Sequence, residues 1–133
     1  MINGLNHITL AVNHLDQSFE FYTSILGFKP HAKWESGAYL SCGDIWLCLS
    51  LDHVSERSDY SHIAFSIDKN SFKKFKTTLE SHPIEQWKIN TSEGDSFYFL
   101  DPDGHKLEVH CGTLHTRLES CRKAPYKNMI FFD

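Results

Sequence analysis

Residues 6–12 read NHITLAV and residues 61–67 read SHIAFSI. Each is a His followed by apolar residues in alternation, the period of a strand with one buried face. Such a recurrence within 133 residues marks an internal duplication. The segments beyond the two copies are also alike. After the first, Leu15, Phe19, Tyr22 and Leu26 fall at helical spacing, with Asp16 near the start and Gly27 as a stop. After the second come Phe72, Phe75 and Leu79, with Pro83 beyond the end. Strand-like runs then close each half: residues 37–51, GAYLSCGDIWLCLSL, and residues 95–110, DSFYFLDPDGHKLEVH. In the latter, Asp-Pro-Asp-Gly supplies a turn, Pro fixing φ and Gly accepting positive φ. Each half therefore reads β-α-β-β-β, an α+β fold of two βαβββ modules in a single domain over residues 1–133. Module one spans about 1–52 and module two about 60–112, joined by the polar LDHVSERSDY of residues 51–60. Residues 113–133 form a C-terminal helix and tail, the helix ended by Pro125.

Composition narrows the function classes. A chain that is 41% hydrophobic and 14% aromatic buries one core. Its formal net charge of −4 excludes a general nucleic-acid or membrane-surface binder, which needs a basic face. No stretch approaches the roughly 20 apolar residues of a membrane span. Cys42, Cys48, Cys111 and Cys121 make no C-x-x-C pair and no dense framework, so reduced thiols and a cytoplasmic location are expected.

Strand alternation picks out the chemistry. In a strand, residues two apart share a face, so His7 lies with Leu5, Thr9 and Ala11, opposite Ile8, Leu10 and Val12. In the second copy His62, Ala64 and Ser66 oppose Ile63, Phe65 and Ile67. In the last strand Leu107 and Val109 take the apolar side, which turns Lys106, Glu108 and His110 the other way. His7, His62 and Glu108 thus occupy matching places on the faces turned from the helices. Two neutral imidazoles and one carboxylate suit Mn²⁺, Fe²⁺, Co²⁺, Ni²⁺ or Zn²⁺ and leave coordination positions for a substrate. His110 shares the face of Glu108 but lies further along, as a supporting residue rather than a ligand. His14, His31, His53, His82, His105 and His115 fall in turns, helices or linkers and are expected to be solvated.

These segments resemble the vicinal oxygen chelate superfamily, which includes glyoxalase I, extradiol dioxygenases and bleomycin-resistance proteins. The resemblance is closer to the fosfomycin-inactivating glutathione transferases of the FosA type. It is carried by GLNHITLAV, GAYLSCGDIWLCLS, DYSHIAFSI, EGDSFYFLDPDGHKLE and RLESCRKAPY, which together span nearly the whole chain. It implies Mn²⁺ held by His7, His62 and Glu108, in a homodimer that exchanges modules, so that His7 of one chain completes a site with His62 and Glu108 of the other. It further implies that Lys88, Ser92, Ser96, Tyr98 and Arg117 hold the phosphonate of fosfomycin, with Thr9 beside the epoxide oxygen. Asn90, Ser92, Gly94 and Ser96 would form a K⁺ loop. Tyr39, with Trp46 as a neighbouring wall, is the candidate for positioning the thiol of glutathione. Superposing the hairpin strands aligns Leu47-Cys48-Leu49 with Leu107-Glu108-Val109. Cys48 then stands where a symmetric site, as in glyoxalase I, would carry a fourth protein ligand.

Three other readings compete. An extradiol dioxygenase would hold Fe²⁺ and a neutral diol, for which a lining of Lys, Arg and Ser has little use. A bleomycin-type protein would sequester a drug without the His/His/Glu set. A third keeps fosfomycin and changes the nucleophile to bacillithiol, cysteine or water; the sequence matches the glutathione branch best, and the water route needs an extra carboxylate in the cavity that the sequence does not supply unless Asp44 reaches it.

Overall fold

In the computed structural model, which describes residues 1–132, the chain divides into two compact units. Unit one is Met1–Ser61 with Leu100–Lys106, and unit two is His62–Phe99 with the segment from Leu107 onward.

Unit one begins with β1 (Ile8–Val12), followed by α1 (Leu15–Glu20) and three further strands, β2 (Lys29–Trp34), β3 (Gly37–Cys42) and β4 (Ile45–Leu51). The sheet order is β1-β4-β3-β2. β1 runs parallel to β4, pairing Ile8 with Leu47, Thr9 with Cys48 and Leu10 with Leu49. β3 is antiparallel to β4 and sets Tyr39 opposite Cys48. Val12, Leu40, Leu47, Leu49 and Tyr22 are buried, whereas Thr9 and Tyr39 on the opposite face are exposed. The alternation read from NHITLAV is met.

The helix expected to run through Leu26 changes character. Beyond Glu20 it widens into a π-helical turn over Phe21–Ile25, where Leu26 N–H donates to Phe21 O at 3.0 Å. The Thr23 hydroxyl donates to Phe19 O at 2.7 Å, a side-chain bond that competes with the regular ladder. Gly27 then turns the chain at φ +82°.

Unit two repeats the plan. β5 (Ile63–Ser66) leads to α2 (Lys69–Glu80), then β6 (Gln86–Lys88), β7 (Ser96–Leu100) and β8 (Lys106–His110), in the order β5-β8-β7-β6. β5 is parallel to β8, with Ile63 on Leu107, Ala64 on Glu108 and Phe65 on Val109. α2 buries Leu79 fully and sets Lys76 Nζ over the Phe97 ring, which places it on the Phe97 side of the sheet. α3 (Leu114–Lys123) is capped by Thr113, whose side chain accepts from Thr116 N–H while Thr116 Oγ1 accepts from Thr113 N–H.

The Asp-Pro-Asp-Gly turn belongs to unit one and carries a network that the sequence reading missed. Asp101 accepts from the Tyr22 hydroxyl at 2.6 Å and from the backbone N–H groups of Asp103 and His105, both at 2.9 Å. Asp103 accepts from Asn13 N–H and the Ser18 hydroxyl. His105, expected to be solvated, instead donates from Nε2 to Ala11 O at 2.7 Å. The reason is that Asp101 is buried and the turn around it is half-buried, so its polar groups find partners within unit one. His31 also departs from the turn-or-linker assignment, since it lies in the edge strand β2, although it stays exposed. Burial, joined by the Asp101 charge, raises the Tyr22 phenol well above its ordinary value, and burial raises Asp101 against the pull of that same bond. Tyr22→Phe is expected to cost about 1.5–3 kcal/mol, the usual worth of a hydrogen bond to a charged group. Urea unfolding would show it as a lower midpoint at unchanged slope.

Candidate metal centre and anion site

Unit two gathers His62, Lys88, Asn90, Ser92, Gly94, Ser96, Tyr98, Glu108 and Arg117 of the sequence-assigned residues. Glu108 is buried in the middle of β8 and turned from Leu107 and Val109 by the strand period. Its Oε1 lies 3.1 Å from His62 Nε2, and its Oε2 accepts the Ser96 hydroxyl at 2.7 Å. Two donors each about 2.1 Å from one ion, roughly 90–110° apart, sit about 3.0–3.4 Å from each other. The His62 and Glu108 atoms therefore fit a shared divalent ion. Trp87 and Tyr98 wall this spot, their rings 5.3 and 6.1 Å from that of His62. Tyr98 is buried, and Lys88 Nζ stands 5.0 Å from its ring centroid, since β6 and β7 pair Lys88 with Tyr98.

Arg117 comes from α3. Its Nη2 donates to Ser92 Oγ at 3.2 Å and its Nε to Glu93 Oε1 at 3.3 Å. Desolvation is the largest single effect and opposes the charged form, but hydrogen bonds and charge interactions with Glu93 and Tyr126 together outweigh it and raise the guanidinium above its ordinary value. The cation is permanently charged and held in place by Ser92 and Glu93. In the preceding loop Asn90 Oδ1 accepts from both the backbone N–H and the hydroxyl of Ser92, and its amide donates to Gly94 O. Gly94 has φ +77°, and a Cβ there would collide with the Cys111 carbonyl oxygen.

Unit one holds His7, Thr9, Tyr39 and Trp46. His7 Nδ1 lies 2.7 Å from Asn6 Oδ1, which fixes Nδ1 as the donor and leaves Nε2 as the lone-pair nitrogen. The His7 ring packs against Trp46 with centroids 4.6 Å apart, Trp46 lies 5.3 Å from Tyr39, and Tyr39 lies 4.7 Å from Trp34. Trp34, Trp87 and Glu93 escaped the sequence reading. The period-2 rule sets Trp87 opposite Lys88 and so hides it; the register irregularity between Gln86 and Lys88 lets both reach Tyr98, and Glu93 sits in a loop with no period to read.

One other group has metal-like donors. Ligand atoms of Asp101, Asp103 and His105 lie within 4.8 Å of one another, but each is engaged in the hydrogen bonds of the turn. Among the described residues no helix is long and apolar enough to cross a membrane, and all four cysteines are free thiols.

The family assignment matches this geometry. The Glyoxalase/Bleomycin resistance protein/Dioxygenase superfamily pattern matches residues 4–109. The chain belongs to that superfamily. It is 49% identical to the glutathione transferase FosA of Serratia marcescens, over 98% of this chain and 96% of the relative. It is 39% identical to the metallothiol transferase FosB of Staphylococcus epidermidis, over 96% and 98% respectively. Among solved structures it is similar to a variant of the fosfomycin resistance protein FosX of Listeria monocytogenes, complexed with Mn(II) and 1S,2S-dihydroxypropylphosphonic acid. The identity there is 30% and the TM-score 0.83, over 90% of this chain and 98% of that one. FosX from Mesorhizobium loti is similar at 30% identity and a TM-score of 0.78, over 89% and 99%.

Proposed function

We propose that this protein inactivates fosfomycin by adding the thiol of glutathione to its epoxide, with Mn²⁺ held by His7, His62 and Glu108. The observation that carries the reading is the joint placement of Glu108 and His62, 3.1 Å apart, in the same unit as Lys88, Ser92, Tyr98 and Arg117. A metal-binding pair beside two cations and hydroxyl donors suits a small phosphonate. A neutral catechol would leave those cations idle, which disfavours a dioxygenase. The 49% identity to a glutathione transferase favours glutathione over bacillithiol, cysteine or water.

When bound, the metal supplies Lewis-acid polarisation of the epoxide oxygen. The chain's own residues do the rest. Lys88, Ser92, Tyr98 and Arg117 hold the phosphonate and so fix the epoxide carbon for in-line attack, while Ser96, whose hydroxyl proton goes to Glu108, serves the cation loop instead. Thr9 donates a hydrogen bond toward the epoxide oxygen, and Tyr39 with Trp46 positions the thiol. The C–S bond forms as the C–O bond breaks, and the oxygen takes up the proton that the thiol released. Asn90, Ser92, Gly94 and Ser96 form a K⁺ loop that stiffens the phosphonate donors.

The working form is a homodimer with shared metal sites, His7 of one chain acting with His62 and Glu108 of the other. Support comes from the division of these ligands between two units and from the exposed Ile2 and Leu5 that precede His7. The free thiols favour the reducing cytoplasm. The chain acts as one domain built of its two repeat modules.

The test is purified protein with Mn²⁺, K⁺ and fosfomycin, offered each thiol in turn and followed by ³¹P NMR. A glutathione adduct is the expected product, and the diol from water would overturn the thiol assignment. Arg117→Ala or Lys88→Ala is expected to lower kcat/KM for fosfomycin about ten- to a hundredfold, since a charge-assisted hydrogen bond contributes about 1.5–3 kcal/mol. Mn²⁺ affinity should barely change. Loss of metal in either variant would move that residue out of the anion site.

A further inference from the structure

Ser96 has one proton and two strong partners. Its hydroxyl lies 2.7 Å from Glu108 Oε2 and 2.5 Å from His110 Nδ1. Glu108 Oε2 is an acceptor only, so the Ser96 proton goes there, and His110 must then donate its Nδ1–H to Ser96 Oγ. The chain of donors runs one way, from His110 to Ser96 to Glu108. His110 Nδ1 is itself 3.6 Å from Glu108 Oε2, too far for a direct bond, so its influence passes through the hydroxyl.

The ring is also held sterically. A Cβ on Gly94 would lie 3.0 Å from His110 Cε1, and one on Gly112 would lie 2.8 Å from Nε2. Both residues sit at positive φ, +77° and +147°, so the backbone on either side is shaped for glycine and leaves a slot just wide enough for the imidazole. On its far edge Nε2 faces Glu93 Oε1 at 3.7 Å, the carboxylate that also receives Arg117 Nε.

We infer that His110 is the positioning residue of the metal carboxylate: held between Gly94 and Gly112, it fixes the Ser96 hydroxyl, and Ser96 fixes the rotamer of Glu108 that faces His62. This rests on the reading of His62 and Glu108 as metal ligands. A carboxylate ligand pinned by a hydrogen bond enters coordination already oriented, and loss of such an outer partner costs about 10–100-fold in metal affinity. The same geometry commits the Ser96 proton to Glu108 before any substrate arrives. The group that Ser96 then presents outward is a lone pair, which suits the cation of the K⁺ loop better than an anionic phosphonate oxygen.

The test titrates the metal-stripped, full-length chain with Mn²⁺ and reads free Mn²⁺ by EPR, with no turnover involved. His110→Ala is expected to weaken binding about 10–100-fold, and Ser96→Ala to match it. The double variant should lose no more than either alone, because the two act in series. His110→Asn, whose side-chain NH₂ reaches the position of Nδ1, should restore most of the affinity. His110→Ala with native affinity, or His110→Asn no better than His110→Ala, would overturn the inference. So would additive losses in the double variant, which would make His110 and Ser96 independent. If His110→Ala does not fold, as judged by circular dichroism, the comparison of Ser96→Ala with His110→Asn decides the same question. Failure of the underlying ligand reading looks different: Glu108→Ala would then bind Mn²⁺ as the native chain does.

Discussion

Glu108→Ala is expected to abolish both tight Mn²⁺ binding and turnover of fosfomycin. In the proposed site the carboxylate is one of the ligands, and its oxygen lies 3.1 Å from His62 Nε2; an alanine at this buried strand position leaves His62 facing a methyl group in its place. Lewis-acid stabilisation contributes several kcal/mol, which at about 1.4 kcal/mol per tenfold corresponds to a loss of roughly 10²–10⁴ in rate. Isothermal titration with Mn²⁺ and the ³¹P assay read the two effects separately. A purified Glu108→Ala protein with native activity would end the site assignment.

The same variant probes chain sharing. Inactive His7→Ala and Glu108→Ala chains, mixed under conditions that exchange subunits, should regain activity, because the heterodimer then contains one site with all three ligands intact. Mass spectrometry confirms the exchange. A confirmed heterodimer that stays inactive would place each site within a single chain.

The strand faces were legible in the sequence because alternation is a local rule. NHITLAV and SHIAFSI each put a His at the same place before a strand, and the observed β1 and β5 begin one residue after those histidines. Glu108 stood out because a carboxylate between Leu107 and Val109 contradicts a strand buried on both faces. The unread parts are those that depend on distant partners. Glu93 meets Arg117 across 24 positions of sequence, and Tyr22 meets Asp101 across 79, neither with a local period to announce it. His105 looked solvated because a turn residue usually is; only the fold shows Ala11 O beside it. The π turn at Phe21–Ile25 also eluded a reading based on a 3.6-residue period, since a five-residue bond leaves the apolar spacing almost unchanged. Arg117 and Lys88 needed the resemblance, because charged residues on a helix and an edge strand are by default solvent-facing.

Cys48→Glu is expected to bind Mn²⁺ more tightly and yet lose most fosfomycin turnover. Strand register is the reason. β1 pairs Thr9 with Cys48 as β5 pairs Ala64 with Glu108, and Ile8 with Leu47 as Ile63 with Leu107, so Cys48 is the structural counterpart of Glu108 in the first module. It is buried, with Thr9 on one side and Tyr39 on the other, both of them residues assigned to the reacting groups. A thiol there takes up little room and leaves open coordination positions for two substrate oxygens. On the proposed arrangement, in which His7 is a ligand, a Glu would extend a carboxylate toward the ion, filling one of those positions and offsetting charge that would otherwise polarise the epoxide. With one substrate position lost and the Lewis acidity reduced, kcat/KM should fall by about a hundredfold or more, the equivalent of roughly 3 kcal/mol. Cys48→Ala separates this from packing: it should keep the metal and much of the activity, with only the modest destabilisation of a small vacated volume. Loss of Mn²⁺ in Cys48→Ala would instead make the thiolate itself a ligand. Undiminished turnover in metal-loaded Cys48→Glu would mean that the first-module face at Cys48 does not meet the ion, and with it the chain-sharing arrangement that brings His7 there would have to be redrawn.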